Sequence, residues 1–63
     1  MSVYRDADSQ FTVIVCSILS ECVVSLYDAR GQKFGSRDFS DEFTAHRFVV
    51  QDLPGRFEEV RHE

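Results

Sequence analysis

The stretch that decides the fold runs from Gly31 to Phe43 and reads Gly-Gln-Lys-Phe-Gly-Ser-Arg-Asp-Phe-Ser-Asp-Glu-Phe. Gly31 fits a hairpin position that requires a positive φ angle. Residues 33–39 predict a short strand, in which Gly35 indicates a bulge or a close backbone approach. Ser40 fits a helix N-cap, and the two acidic residues after it suit the positive end of the helix dipole. The stretch therefore predicts a third strand and the start of a helix.

Two runs before this stretch predict strands. Residues 11–19 and 22–28 are rich in β-branched residues and contain no Gly or Pro, which is typical of strands joined in a hairpin. The turn is predicted at Ser20-Glu21. Both faces of the first strand are apolar, which favours a central strand or a second face covered by another chain. Residues 1–10 are polar, and we expect a flexible arm with at most a short strand around Val3-Tyr4.

The segment after the stretch predicts one amphipathic helix, from about residue 41 to residue 51, because Pro54 disfavours helix just before it. Phe43 and Val50, seven residues apart, fall roughly opposite the main apolar stripe. Either the C-terminal segment covers them or another chain does. Residues 56–63 fit a short helix or a strand equally well.

The fold expected is a single α+β domain over residues 1–63. A three-stranded antiparallel β-meander packs against the amphipathic helix, with a short C-terminal helix or strand. A chain of 63 residues buries only about 60% of its unfolded surface. Such a domain gains stability from an added partner. The second apolar side of the helix and the two-faced first strand are therefore consistent with a homodimer or an apolar partner surface.

Composition narrows the classes of function. A net charge of −4 disfavours direct binding to nucleic acid or to anionic membranes and suits a protein partner with a basic surface. The charge also serves solubility. The two cysteines, Cys16 and Cys22, would lie about 10 Å apart in the predicted hairpin, too far for a disulfide. Reduced cysteines and the absence of a signal-peptide pattern favour a cytoplasmic protein.

The sequence contains no recognisable catalytic motif. His46 and His62 are isolated, the acidic pairs are adjacent in sequence, and there is no phosphate-binding or dinucleotide-binding loop. We therefore expect no enzymatic activity, no cofactor and no metal. Tyrosines are enriched at the centres of protein interfaces. The predicted partner-binding residues are the two tyrosines, the acidic neighbour of one of them and the second apolar side of the helix: Tyr4, Tyr27, Asp28, Phe43 and Val50.

The glycines at 31 and 35, together with Arg37-Asp38-Phe39 and Leu53-Pro54-Gly55, give the chain a resemblance to a known family. Over residues 22–57 it resembles small phage-encoded anti-CRISPR proteins that act on type I-F systems. The family's partner-contacting residues have no counterparts here, so none is carried over.

This resemblance implies a phage or mobile-element inhibitor in the host cytoplasm. Such a protein would bind a type I CRISPR surveillance complex and block its nucleic-acid groove by occupancy. A looser likeness, covering the last third of the chain, is to small phage inhibitors of host RNA polymerase. The alternatives are therefore an inhibitor of another host enzyme, RNA polymerase or gyrase, or a small structural dimerisation module.

Overall fold

A computed structural model describes residues 1–63 and gives an α+β fold with seven segments of regular structure. In chain order they are β1 Ser2–Asp6, β2 Thr12–Ile18, β3 Glu21–Tyr27, β4 Lys33–Phe39, α1 Glu42–Arg47, a π-helical segment Phe48–Asp52 and β5 Phe57–His62.

The sheet has five antiparallel strands in the order β4-β3-β2-β1-β5. The predicted meander is present as β2, β3 and β4, and the bounds of β4 match the prediction. The sheet is larger than the predicted three-stranded meander, because β1 and β5 extend it along the other side of β2. This makes β2 the central strand and accounts for its apolar residues on both faces.

Residues 1–10 do not form an exposed arm. β1 lies between β2 and β5, and its alternate residues Ser2, Tyr4 and Asp6 are buried. The error arose from reading polar residues as exposed. Ser2 and Asp6 tolerate burial because their hydroxyl and carboxylate are hydrogen-bonded inside the fold.

The C-terminal segment, for which the sequence allowed a helix or a strand, is a strand. β5 pairs with β1 along its length, with a bulge opposite Val3 and Tyr4. The chain ends meet there, because the Glu63 N–H donates to the Met1 carbonyl at 2.7 Å. Phe57 is the one residue of β5 that is buried in the core.

The β2–β3 hairpin turns one residue earlier than predicted. Ser17 pairs with Cys22 and Ile18 with Glu21, so Leu19 and Ser20 form the turn. Leu19 takes a φ of 57° there. In this register Cys16 pairs with Val23, and the two cysteines lie on opposite faces of the sheet as free thiols.

The β3–β4 hairpin follows the prediction more closely. Gly31 has a φ of 84°. The register slips between Leu26 and Tyr27, which pair with Gly35 and Lys33, so Phe34 is the extra residue of a bulge. The bulge turns Phe34 toward the helix side of the sheet, where its ring lies 5.3 Å from that of Phe11.

The helix begins one residue later than predicted. Asp41, and not Ser40, is the N-cap, because its carboxylate accepts from the Thr44 N–H at 2.7 Å and from the Thr44 hydroxyl at 3.1 Å. The helix widens into π geometry at Phe48, whose carbonyl accepts from the Leu53 N–H at 3.1 Å. The chain leaves the helix just before Pro54, as predicted.

The hydrophobic core lies between one face of the sheet and the helix. Phe39 and Phe48 stack across this layer with their ring centroids 5.2 Å apart, and the Arg37 guanidinium lies over both rings. The buried apolar residues come from β1, β2, β3, β5 and the helical segments: Tyr4, Val13, Val15, Cys22, Val24, Ala45, Val49 and Phe57.

The Leu53-Pro54-Gly55 turn is fastened to β1 through Asp6. The Asp6 carboxylate accepts from the Arg56 N–H at 3.3 Å and from the Ser9 hydroxyl at 2.8 Å. The hydrogen bonds from the Ser9 hydroxyl and from the Arg56 N–H lower the pKa of Asp6. Gly55 has a φ of 110°, and a β-carbon placed on it would lie 2.9 Å from Asp6 Oδ2.

We expect Gly55→Ala to destabilise the protein by more than about 2 kcal/mol, because it combines an unfavourable φ with a clash against Asp6. Gly31→Ala is the matched control: its φ is also positive, but a β-carbon there meets no atom within 4 Å. We expect it to cost only about 1 kcal/mol. Urea unfolding of both variants measures the difference, and equal losses would contradict the proposed close contact.

We expect Asp41→Ala to lower the melting temperature by about 5 °C near neutral pH, and Ser40→Ala to leave it nearly unchanged. The Thr44 N–H and then the Thr44 hydroxyl lower the pKa of Asp41 in the folded state. Its stabilising effect is therefore complete above the unfolded pKa and is lost as pH falls through the folded pKa. Thermal unfolding across this acidic range should show the wild type and Asp41→Ala converging.

Candidate protein-binding surfaces

The solvent side of the helix carries two apolar residues that the core does not use. Phe43 is 72% exposed and Val50 is 52% exposed. They flank a depression of about 300 Å³, here called the helix groove. Its lining is completed by residues of β1 and the helical segments: Tyr4, His46, Arg47 and Gln51. The Arg47 guanidinium lies 5.6 Å from the centre of the Phe43 ring, so a cation borders the apolar surface.

Tyr4 forms the floor of the helix groove. Its side chain is 6% exposed, and its hydroxyl is hydrogen-bonded to Nδ1 of His46. The two rings lie 5.6 Å apart at a tilted angle. Burial raises the pKa of Tyr4, and the nearby Glu59 carboxylate raises it further. Tyr4 therefore positions His46 through this hydrogen bond and exposes little surface of its own to a partner.

Glu59 supplies a negative charge close to the helix groove. The Ser2 hydroxyl and His62 lower its pKa by hydrogen bonding, and the charges of His62 and His46 lower it further. The carboxylate therefore stays ionised at neutral pH. This end of the sheet consequently joins an apolar surface to a fixed anionic group.

Ser2, His62 and Glu59 contain the three side-chain types of a nucleophile–histidine–acid relay. In that relay the two partners use different ring nitrogens. Here the Ser2 hydroxyl, at 2.8 Å, and the Glu59 carboxylate, at 3.3 Å, both meet Nδ1 of His62. Ser2 is also 2% exposed. The geometry therefore differs from that of an activated nucleophile.

The face of the sheet opposite the helix, here called the open face, is covered by no element of the chain. Its centre is apolar and half-buried through contacts between neighbouring strands. Its edges are charged and exposed. The central apolar residues are Val3, Ile14, Cys16 and Val23, and the charged residues around them are Arg5, Glu21, Lys33, Asp38, Glu58 and Arg61.

The structure divides the predicted partner-binding residues between these surfaces. Tyr4, Phe43 and Val50 meet at the helix groove. Tyr27 lies on the open face, half-buried, beside Lys33. Asp28 belongs to neither surface, because its carboxylate accepts from the backbone N–H groups of Arg30 and Gln32 at 2.9 Å each and shapes the β3–β4 turn.

Sequence reasoning missed one residue of the helix groove and one exposed residue outside both surfaces. His46 was read as an isolated histidine, because its partner Tyr4 lies 42 positions away. Leu19 stands fully exposed at the β2–β3 turn, in a positive-φ conformation that costs a branched residue about 1–2 kcal/mol. An apolar side chain at that position contributes nothing to the core.

Two further depressions lie at the ends of the fold. One, of about 270 Å³, is mostly apolar and lies between Phe11, Phe34 and the Leu53-Pro54 turn. The other, of about 120 Å³, is acidic and lies between the β2–β3 turn and the start of the helix. Neither depression is lined by any of the predicted partner-binding residues.

Three findings bear on other classes of protein. No three His, Cys, Asp or Glu side chains lie close enough together to hold a metal ion. Neither helical segment is long and apolar enough to cross a bilayer. Comparison with protein-family models, curated proteins and solved structures found no match to this chain.

We expect Tyr4→Phe to destabilise the protein by about 1 kcal/mol, because it removes the hydrogen bond between the hydroxyl and His46. Tyr27→Phe makes the same chemical change at a half-buried tyrosine whose hydroxyl has no protein partner, and we expect almost no effect. Urea unfolding of the two variants is the measurement. A loss in Tyr4→Phe no larger than that in Tyr27→Phe would contradict a stabilising Tyr4–His46 bond.

Proposed function

We propose that the protein is an inhibitor that acts by binding a larger host protein complex and occupying part of its surface. The observation that supports this is the exposed pair Phe43 and Val50 beside the helix groove. Folding does not account for these side chains, since the opposite stripe of the helix already fills the core. Exposed apolar residues grouped at a concave surface are typical of protein-binding sites.

Arg47 is the charged residue that lines the groove, so the charges that favour a particular kind of partner lie outside its lining. Glu59 stays ionised near Tyr4 and His46, and the whole chain carries a net charge of −4. A matching surface would present an apolar side chain flanked by Lys or Arg. Basic grooves that bind nucleic acid have this character. Occupancy of such a groove excludes its nucleic acid without any chemical step.

The sequence resemblance supplies the specific target of this proposal. Gly35-Ser36-Arg37-Asp38-Phe39 and Leu53-Pro54-Gly55 resemble the pattern of type I-F anti-CRISPR proteins. The target proposed is accordingly a type I CRISPR surveillance complex in the host cytoplasm. In this chain the two motifs have local structural roles. The first forms the outer strand under Phe48, and the second ties the helix end to Asp6.

An affinity pull-down tests both the binding and the surface. Tagged protein is incubated with host lysate that contains a type I CRISPR complex, and the captured proteins are identified by mass spectrometry. We expect capture of the surveillance complex by the wild type, and loss of capture when guide-complementary DNA is bound beforehand. We expect the double variant Phe43→Ser, Val50→Ser to bind at least about tenfold more weakly, since central interface residues carry most of the binding energy.

Leu19→Asn is the matched control, because it removes an exposed apolar side chain at a distance from the groove and suits the positive φ. We expect it to capture as the wild type does. Tyr27→Ala alters the open face alone, and loss of capture in this variant only would move the site there. Capture of RNA polymerase or gyrase would keep the class of inhibitor and replace the target. Capture unaffected by the double variant would reject the helix groove.

A further inference from the structure

The open face combines an uncovered apolar centre with opposite charges, Glu58 and Lys33, at the two ends of one row. We propose that two copies of the chain associate through their open faces, around a twofold axis that runs along β2. This surface lies on the opposite side of the sheet from the helix groove. The proposal is therefore independent of the inhibitor function.

The size of the open face suits such a contact. Five strands about 4.8 Å apart, with about six residues each at 3.3 Å per residue, give a face of roughly 24 by 20 Å. Two such faces bury on the order of 1,000 Å², which is the lower range of specific interfaces. Burial of this area stabilises the chain, because only eight apolar residues are buried in its core and small domains depend on added burial.

The strand register fixes which residues share a row across the open face. The first row crosses all five strands and carries charge at both ends: Glu58, Arg5, Thr12, Tyr27 and Lys33. The second row has one charged end: Arg61, Val3, Ile14, Ser25 and Ser36. The third row includes Cys16, Val23 and Asp38.

A twofold axis along β2 places each position on β5 and β1 over its counterpart on β4 and β3 of the second copy. Glu58 then lies over Lys33, and Arg5 lies over the Tyr27 ring. Both contacts are favourable, the first as an ion pair and the second as a cation–π contact. β2 lies over itself, so Ile14 meets its own copy at the centre. Asp38 comes over Glu63 at the end of β5, where the Arg61–Glu63 ion pair offsets the meeting of two acidic groups.

The alternative in-plane axis, perpendicular to the strands, is less favourable. It would return each strand onto its own copy in the reverse direction. With this axis through the second row, Arg61 would face a second Arg61, and Glu58 would face Glu63. Like charges placed opposite each other are destabilising. The charge pattern therefore selects the axis along β2.

Glu58 and Lys33 do not meet within one chain; Glu58 lies beside Arg5 of the same chain, whereas Lys33 has no acidic residue in its row. The two residues lie on the opposite edge strands β5 and β4, about 19 Å apart at the spacing of four strand intervals. Neither forms an ion pair inside the protein. Aligned sheet packing rotates two sheets by about 30°, and the reach of the long Lys and Glu side chains accommodates the resulting offset at the edges.

Sedimentation equilibrium of the purified chain, from about 1 µM to about 1 mM, tests this proposal. We expect a reversible monomer–dimer equilibrium in the wild type and a monomer in Ile14→Lys. We expect Lys33→Glu and Glu58→Lys each to weaken the dimer at least about tenfold. The double variant should dimerise more tightly than either single variant, because the swapped charges still match across the interface, while recovery stays incomplete because Glu58→Lys places a second cation beside Arg5. Circular dichroism verifies the fold of each variant.

Phe43→Ser is the control on the other side of the molecule, and we expect its dimer to be unchanged. A wild type that stays monomeric up to the highest concentration would overturn the proposal. A dimer weakened by Phe43→Ser and not by Ile14→Lys would overturn it as well. Single charge reversals without recovery in the double variant would exclude the axis along β2. Capture of a host complex through the helix groove is measured separately and does not depend on these outcomes.

Discussion

The structure depends on one constraint: a single short helix covers one face of a five-stranded sheet and leaves the other without cover. On the covered face, Val13, Val24 and Val49 are fully buried and the Phe39–Phe48 pair closes one side. On the uncovered face, Ile14 and Val23 are shielded only by neighbouring strands. A domain of this size has little apolar area to spare. The apolar residues at the centre of the open face are therefore hydrophobic side chains that the chain does not use to enlarge its core.

β1 connects the meander β2–β4 to β5 and to the helix, although its sequence is mostly polar. It pairs with β2 on one side and β5 on the other, and its buried Ser2 hydroxyl is hydrogen-bonded to His62 near the C-terminal end. The Asp6 carboxylate accepts a hydrogen bond from the Arg56 N–H in the turn after the helix. The Tyr4 hydroxyl is hydrogen-bonded to His46 on the helix. These contacts join residues 42 to 60 positions apart. Loss of β1 would leave β5 without a neighbour and the helix end without an anchor.

The contrast between elements specified by local signals and elements specified by distant partners explains which of them the sequence could predict. β2, β3 and β4 are specified by local signals, namely β-branched runs, a hairpin glycine and a bulge glycine, and all three were predicted. β1 and β5 are specified by partners that are distant in sequence, such as Ser2 with His62, which no local pattern reveals. The same holds at the surfaces. Helical periodicity predicts that Phe43 and Val50 lie together, as they do at the helix groove, whereas the turn bonds of Asp28 depend on backbone geometry that periodicity does not give.

The two surfaces lie on opposite sides of the sheet, so one can be occupied without blocking the other. In the proposed dimer, the open faces meet at the centre and the two helix grooves point outward in opposite directions. Such an assembly cannot place both grooves on one flat site. It would instead link two copies of a partner, or two subunits of an assembly that curves around it. A second binding event would then gain from the effective concentration set by the first. A chain with a small core would in this way obtain stability from one face and avidity from the other.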